Sequence, residues 1–295
     1  MDEIWRIVVK TIGLFANPQN TRAPDVVARI EKSAAALGMS ILADTQTAAM
    51  SASAPTLPIA EMPGKVDVLL ALGGDGTMLR AVRELNGQDL PVMGLNIGSL
   101  GFMTSVAEDS LERAMACLAA DQYMTSPRSM IECEVVSSDG DAKTHVGLND
   151  VVMQGVMSSR VVTLNMTIDD EQVASYVCDG LIVATPTGST GHSLSAGGPI
   201  IMPGTRALVV SVICPHSLSA RPLVISDDHQ LAFTCPDMPK RGVQISIDGQ
   251  VEQTMGEGDR VFVKRCAQDI RFIHLPDYSY FPVLRQKLGW RGSHV

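Results

Sequence analysis

Val66-Asp67-Val68-Leu69-Leu70-Ala71-Leu72, continued directly by Gly73-Gly74-Asp75-Gly76-Thr77, is the stretch on which the reading of this chain turns. An apolar run of this length, bounded by glycines, reads as a strand buried on both faces of a parallel sheet. Met78–Leu85 then reads as helix-like. Ligands of open α/β sheets bind at the carboxyl ends of strands, where this loop sits. Three glycines let the backbone approach a phosphate and turn N–H groups towards it. Asp75 becomes a carboxylate presented to whatever binds. The competing reading is a tight glycine turn capped by Asp or Thr. No GxxxxGK[ST] segment occurs in the chain, so this is not a Walker A loop.

On the N-terminal side, Ile7–Phe15 reads as a buried strand closed by the turn Asn17-Pro18. Pro24 opens a helix whose apolar spacing runs through Val26, Ile30, Ala34 and Leu37 and stops at Gly38. Met39–Ala43 is a second strand. Residues 45–64, rich in Ala, Ser, Thr and Pro without periodicity, are expected to form a mobile surface loop. Beyond the glycine loop come a strand at Val92–Asn96 and a helix at Leu111–Ala120. The alternation predicts an α/β domain with a mainly parallel sheet over residues 1–127.

After residue 128 short β-rich runs dominate: Ser129–Ser137, Val161–Ile168, Leu181–Ala184, Ala207–Ile213, Leu231–Cys235, Val243–Ile247, Arg260–Lys264 and Ile270–Leu275. Turn pairs such as Asp139-Gly140, Asp169-Asp170 and Asp248-Gly249 separate them. Residues 128–277 are therefore expected to form a predominantly β domain. Tyr278–Trp290 reads as a short helix.

The chain has 295 residues, a length that favours two domains, and its 45% hydrophobic and 19% charged residues argue against disorder. A net charge of −9 without a basic run excludes nucleic acid held by phosphate neutralisation. An anionic ligand would have to be held by local N–H groups and a metal. The six cysteines form no CxxC pair and the histidines no HExxH or HxxxH pattern, so no protein metal site is expected and the thiols read as free. Asp2, Glu3 and Lys10 make a poor signal peptide, and no run is long enough to span a bilayer. The expectation is a cytoplasmic protein with no membrane partner.

Four segments carry a resemblance. The GGDGT loop is shared by NAD kinases, diacylglycerol-type lipid kinases and, loosely, phosphofructokinases. Asn96-Ile97-Gly98-Ser99-Leu100-Gly101-Phe102 is similar to the NxGxLGF element of NAD kinases, and Leu148-Asn149-Asp150 to their Asn-Glu or Asn-Asp pair, although Asn-Asp alone reads as a turn. Asp179-Gly180, followed by Thr185-Pro186-Thr187-Gly188-Ser189-Thr190-Gly191-His192-Ser193-Leu194-Ser195-Ala196-Gly197-Gly198-Pro199, resembles their DGxIVxTPTGSTAYxLSAGGP segment. Gly191-His192 replaces the family's Ala-Tyr, which puts a stacking contact in doubt. Pro215-His216-Ser217-Leu218-Ser219 with Arg221-Pro222, Asp248-Gly249-Gln250, and Leu284-Arg285 with Leu288-Gly289-Trp290 extend the likeness to about residue 290.

The resemblance implies an NAD kinase of bacterial type, with ATP phosphorylating the 2′-hydroxyl of the adenosine ribose of NAD between an α/β and a β domain. It also implies that 278–295 return to the first domain. Asp75 is the implied catalytic residue, accepting or orienting the hydroxyl proton. Gly74, Asp75, Gly76, Asn96 and Phe102 would contact the dinucleotide from the first domain. Asn149, Asp150, Arg160, Val177 and Asp179 would do so from the second, with Thr190, Gly191, His192, Ser193, Leu194, Ser195 and Gln250. His216 reads as structural, with a catalytic base as the alternative reading. A divalent ion, Mg²⁺, would arrive with ATP, and a homodimer or homotetramer is implied. A lipid or sphingoid-base kinase accounts only for residues 73–77. A non-catalytic NAD sensor is opposed by the intact Asp75.

Overall fold

The computed structural model describes residues 8–98, 101–156 and 161–290. The chain divides into two units: one runs to Pro127 and resumes at Ile270, and the other is Arg128–Asp269. The later boundary therefore falls inside a strand at 269/270 rather than at 277.

The first unit opens with β1 (Thr11–Ala16), α1 (Ala23–Leu37), β2 (Ser40–Ala43) and α2 (Thr45–Ala48). There follow β3 (Val68–Gly73), α3 (Asp75–Leu85), β4 (Val92–Asn96), β5 (Val106–Ala107) and α4 (Leu111–Ala119). The sheet order β4–β3–β1–β2 is parallel throughout, as the strand and helix alternation requires. Every residue of β3 and β4 is buried. One core joins Leu14, Leu70, Leu72 and Leu95 to Val26, Val27, Ile30 and Ala34 of α1 and Leu111, Met115 and Leu118 of α4.

Residues 45–64 are not a featureless loop. Asp44 caps α2 by accepting the N–H groups of Gln46 and Thr47, each at 3.1 Å. Ile59 and Met62 are buried, and Thr56 bridges to Ala43. The segment is ordered by one cap and two anchors, which leave no periodicity to read.

β6 (Met124–Val136) leads into the second unit. There the chain forms β7 (Ala142–Gly147), β8 (Asp150–Gly155), β9 (Val162–Ile168), β10 (Glu171–Cys178), β11 (Gly180–Ala184) and the single turn α5 (His192–Ser195). β12 (Ala207–Ile213), β13 (Leu223–Ser226), β14 (Leu231–Thr234), β15 (Val243–Ile247) and β16 (Gln250–Met255) follow. β17 (Arg260–His274) leads back, and α6 (Tyr280–Leu288) belongs to the first unit.

The unit is predominantly β, with an antiparallel six-stranded sheet ordered β13–β12–β11–β8–β15–β16. β9 pairs with β10 and β14 in a second antiparallel set, and Leu164, Leu181, Val210, Phe233 and Ile245 share one core. The turn pairs behave as their chemistry demands: Asp169-Asp170 and Asp248-Gly249 all have positive φ, the type I′ geometry that suits right-twisted hairpins. In this unit five strands lacked a clear sequence signal: β7, β8, β10, β13 and β16. All but β8 carry mostly polar or half-exposed side chains, or sit at a sheet edge.

Candidate functional site

In the first unit β3 ends at Gly73 and Asp75 is the first residue of α3. The cap position belongs to Gly74, which has no side chain to satisfy the helix amides, so the positive end of α3 is left for a ligand. Asp75 is half-buried and Gly76 exposed. The Asp75 carboxylate is gripped by the next loop: Oδ2 accepts the N–H of Phe102 at 2.8 Å and Oδ1 that of Met103 at 2.9 Å. Gly101 makes this approach possible, because a Cβ there would overlap the carboxylate. Each oxygen keeps further lone pairs for a ligand.

Asn96 ends β4 beside Gly73, and its buried amide oxygen has no partner. Phe102 is half-buried. The structure thus brings together Gly74, Asp75, Gly76, Asn96 and Phe102.

The same unit holds a cavity of about 540 Å³ lined by Phe15, Asp44, Gln46, Ile59, Arg80 and Glu84, the last two from α3. The Arg80 guanidinium lies 4.4 Å over the Phe15 ring and donates to the Ala16 carbonyl at 3.0 Å. Its lining comes from the end of β1, α2, the 58–60 turn and α3, too dispersed for any motif to reveal.

In the second unit Asn149-Asp150 is not a turn. It enters the buried strand β8 in the middle of the six-stranded sheet. Thr185, after the neighbouring β11, donates from its hydroxyl to the Leu148 carbonyl at 2.6 Å and from its N–H to that of Asn149 at 2.8 Å. Gly188 packs so closely on the Asn149 carbonyl that any Cβ would overlap it. The Asn149 side-chain oxygen and the Thr187 hydroxyl are both buried without a partner. Buried polar groups are ordinarily paired, so two such groups close together mark where a ligand's polar atoms belong. The Asp150 carboxyl is pushed up to about 7, first by burial and then by the charge of Asp248.

The remaining candidates divide. Thr190 is half-buried, its hydroxyl donating to the Thr187 carbonyl at 3.2 Å, and Gly191 lies beside Asn149 and Asp150. His192 and Ser195 are exposed, Leu194 is half-exposed, and Gln250 stands exposed just past the Asp248-Gly249 turn. Ser193 is a correction: it is fully buried and its hydroxyl is bonded to Ser211 at 2.9 Å, so its side chain braces the core.

Val177 and Asp179 lie at the opposite end of β11 from Asp150, which pairs with Ala184. At ordinary strand rise that is roughly 17 Å away, so they do not join the Asn149-Asp150 group. There the Val177 carbonyl accepts the His216 N–H at 2.8 Å. Arg160 lies outside the described residues. Asp248 and Thr187 were not singled out by sequence. The positive-φ turn accounted for Asp248, and only its side-chain bonds show more.

Among the described residues no group of three or more His, Cys, Asp or Glu is placed to hold a metal ion. Nor is any described helix long and apolar enough to cross a membrane.

Comparison with known proteins matches residues 12–123 to the ATP-NAD kinase N-terminal domain family and residues 148–275 to the ATP-NAD kinase C-terminal domain family. The NAD kinase of Ectopseudomonas mendocina (strain ymp) is 39% identical over 294 residues, 97% of each chain. That of Gemmatimonas aurantiaca is 40% identical over 228 residues, 77% of this chain and 78% of its own. Among solved structures, yeast NADH kinase complexed with NADH superposes with a TM-score of 0.89 at 24% identity, over 99% of this chain and 91% of its own. An Archaeoglobus fulgidus NAD kinase in complex with ATP gives 0.75 at 21%, over 96% and 100%.

Proposed function

The chain belongs to the ATP-NAD kinase family, and from that premise we infer how its residues carry out the phosphorylation of NAD by ATP to NADP. Asp75 faces the attacking 2′-hydroxyl, takes or orients its proton, and so directs the oxygen at the γ-phosphorus of ATP. The new bond is O2′–P and the broken one is the β–γ bridge, with ADP leaving.

The observation that supports this role is the double N–H grip on the Asp75 carboxylate. It holds a charged acceptor in one orientation at a helix N-terminus, where phosphate is also favoured. In phosphoryl transfer, placement and charge neutralisation dominate, so what is asked of this carboxylate is chiefly its position.

Phosphates belong on the N–H groups of residues 74–76 at the uncapped end of α3. The cavity beside Arg80 and Phe15, at the carboxyl end of β1, takes the adenosine of ATP. Asn149 and Thr187 take the ribose and amide groups of NAD through their unpaired polar atoms, with the Asp150 carboxyl beside them. Gly191, His192 and Gln250 flank that segment. Val177 and Asp179 serve a part of the dinucleotide remote from Asn149, or a different bound copy. A divalent ion, which we take to be Mg²⁺, belongs to the substrate and offsets the triphosphate charge. The protein acts in the cytoplasm as a homodimer or homotetramer.

Incubation with NAD and Mg-ATP, with NADP read by a coupled dehydrogenase, tests the activity. Absence of NADP formation, with transfer to a lipid or sphingoid base instead, would overturn it.

A further inference from the structure

Asp248 was expected to do no more than shape a hairpin turn. Its φ of 51° is indeed the left-handed value the β15–β16 turn needs. Its carboxylate, however, is aimed away from the turn. Oδ2 accepts the N–H of Leu148 at 2.8 Å, and Oδ1 accepts those of Asn149 at 2.7 Å and Asp150 at 3.2 Å. Its own N–H donates to the Asp150 carbonyl at 3.0 Å. One side chain thus gathers three consecutive amides of the segment that carries Asn149 and Asp150, across about 100 residues of sequence. A turn needs none of these bonds; an Asn or Gly would give the same backbone.

We propose that Asp248 is the positioning residue of the NAD-binding segment, fixing the backbone direction from which the Asn149 and Asp150 side chains meet the dinucleotide. The proposal rests on the reading of Asn149 and Asp150 as NAD contacts. Asp248 itself touches no substrate; it acts through residues 148–150. Charge-assisted bonds to backbone N–H groups are shorter and stronger than neutral ones, which suits a carboxylate to this work.

The same geometry has an electrostatic consequence. Asp248 is the charged group facing Asp150, since neither β15 nor the 180–191 stretch beside it contains a charged residue. His192, the next residue, is the nearest titratable group along that stretch. The negative charge of Asp248 holds the neighbouring carboxyl in its protonated form to higher pH than burial alone would. Loss of that charge must lower the pH at which Asp150 ionises.

The experiment measures KM for NAD, KM for ATP and kcat from pH 5.5 to 8.5 in the parent, Asp248→Asn, Asp248→Gly and Asp150→Asn proteins. Asp248→Gly keeps the positive-φ turn and removes the acceptor. It should raise KM for NAD about tenfold or more and leave KM for ATP within about twofold. Asp248→Asn keeps the turn and one acceptor oxygen, so it folds even if the Gly variant does not. Its effect on KM for NAD at neutral pH should be smaller, but the midpoint of the pH dependence should move to lower pH. Asp150→Asn should abolish that midpoint.

Equal changes in both KM values, or an unmoved midpoint in Asp248→Asn, would overturn the proposal. So would a midpoint that survives in Asp150→Asn. Failure of the parent to phosphorylate NAD would instead overturn the functional reading, and is visible before any variant is made.

Discussion

Asp75→Asn separates the catalytic duty proposed for this residue from its structural one. The carboxylate accepts one N–H on each oxygen, from Phe102 and Met103. An amide has a single oxygen, so whichever way it is turned its NH₂ group confronts one of these donors. A donor left unsatisfied in the interior costs about 1–3 kcal/mol. Half-burial of Asp75 admits some water and places the loss near the lower end, about 1–2 kcal/mol. For a unit of this size each kcal/mol moves Tm by roughly 2–4 °C. The variant should therefore melt a few degrees lower and remain folded at 25 °C.

Loss of the proton acceptor costs about 10²–10⁴ in rate, or roughly 3–5 kcal/mol at 1.36 per decade. The kinetic loss thus exceeds what misplacement of the loop can explain. Steady-state kinetics at 25 °C should show kcat reduced at least about 100-fold. NAD binding, followed by calorimetry, should change less than about threefold. Gly101→Ala is the companion variant, because its Cβ displaces the carboxylate without altering its chemistry. It should lose less rate than Asp75→Asn. An Asp75→Asn protein that shows the expected Tm drop yet turns over within tenfold of the parent would refute Asp75 as the proton acceptor.

Arg80→Ala removes the guanidinium over Phe15 and should raise KM for ATP severalfold while sparing KM for NAD; equal rises in both would remove the cavity from the ATP site. His192 is exposed at the start of α5, and on the proposed reading its part is binding and not chemistry: His192→Ala should weaken NAD binding, read as KM, by on the order of 1 kcal/mol with kcat nearly unchanged, and His192→Tyr should be tolerated. An unchanged KM for NAD in the Ala variant would exclude the residue. Asp150 links stability to pH. Its folded-state value of about 7 lies above that of a free Asp, about 3.9, so the folded form holds a proton that the unfolded chain releases. The stabilisation is complete below about pH 4 and is lost as pH rises towards about 7, with a ceiling of about 4 kcal/mol. Urea unfolding should find Asp150→Asn gaining on the parent at pH 8 relative to pH 5; a pH-independent difference would contradict this.

Some features of this protein were written locally and could be read locally. The buried run 66–72 and the glycines after it specify a strand, a turn and a helix start by short-range sterics. Pro24 and Gly38 bound α1, and Asp169-Asp170 and Asp248-Gly249 form their turns by their own preference for positive φ. The division into a parallel α/β unit and a β unit follows from the same periodicities. The place of Asp75, between the end of β3 and the start of α3, was legible because its loop is contiguous. Other features depend on partners far away in the chain. Residues 45–64 have no pattern of their own and are ordered by the Asp44 cap, by Ala48, Met50 and Ala54 packed on the core of the first unit, and by the burial of Ile59 and Met62. Asn149-Asp150 carries turn-forming residues, yet the ladders from β11 and β15 override that preference and make it the entry to a central strand. Ser193 looked like a ligand contact until its bond to Ser211 turned it inward. Asp248 looked like a turn residue until its carboxylate was found holding residues 148–150. In each case a hydrogen bond or a burial across tens of residues outweighs a local preference worth less than about 1 kcal/mol, and such bonds exist only once the chain has folded.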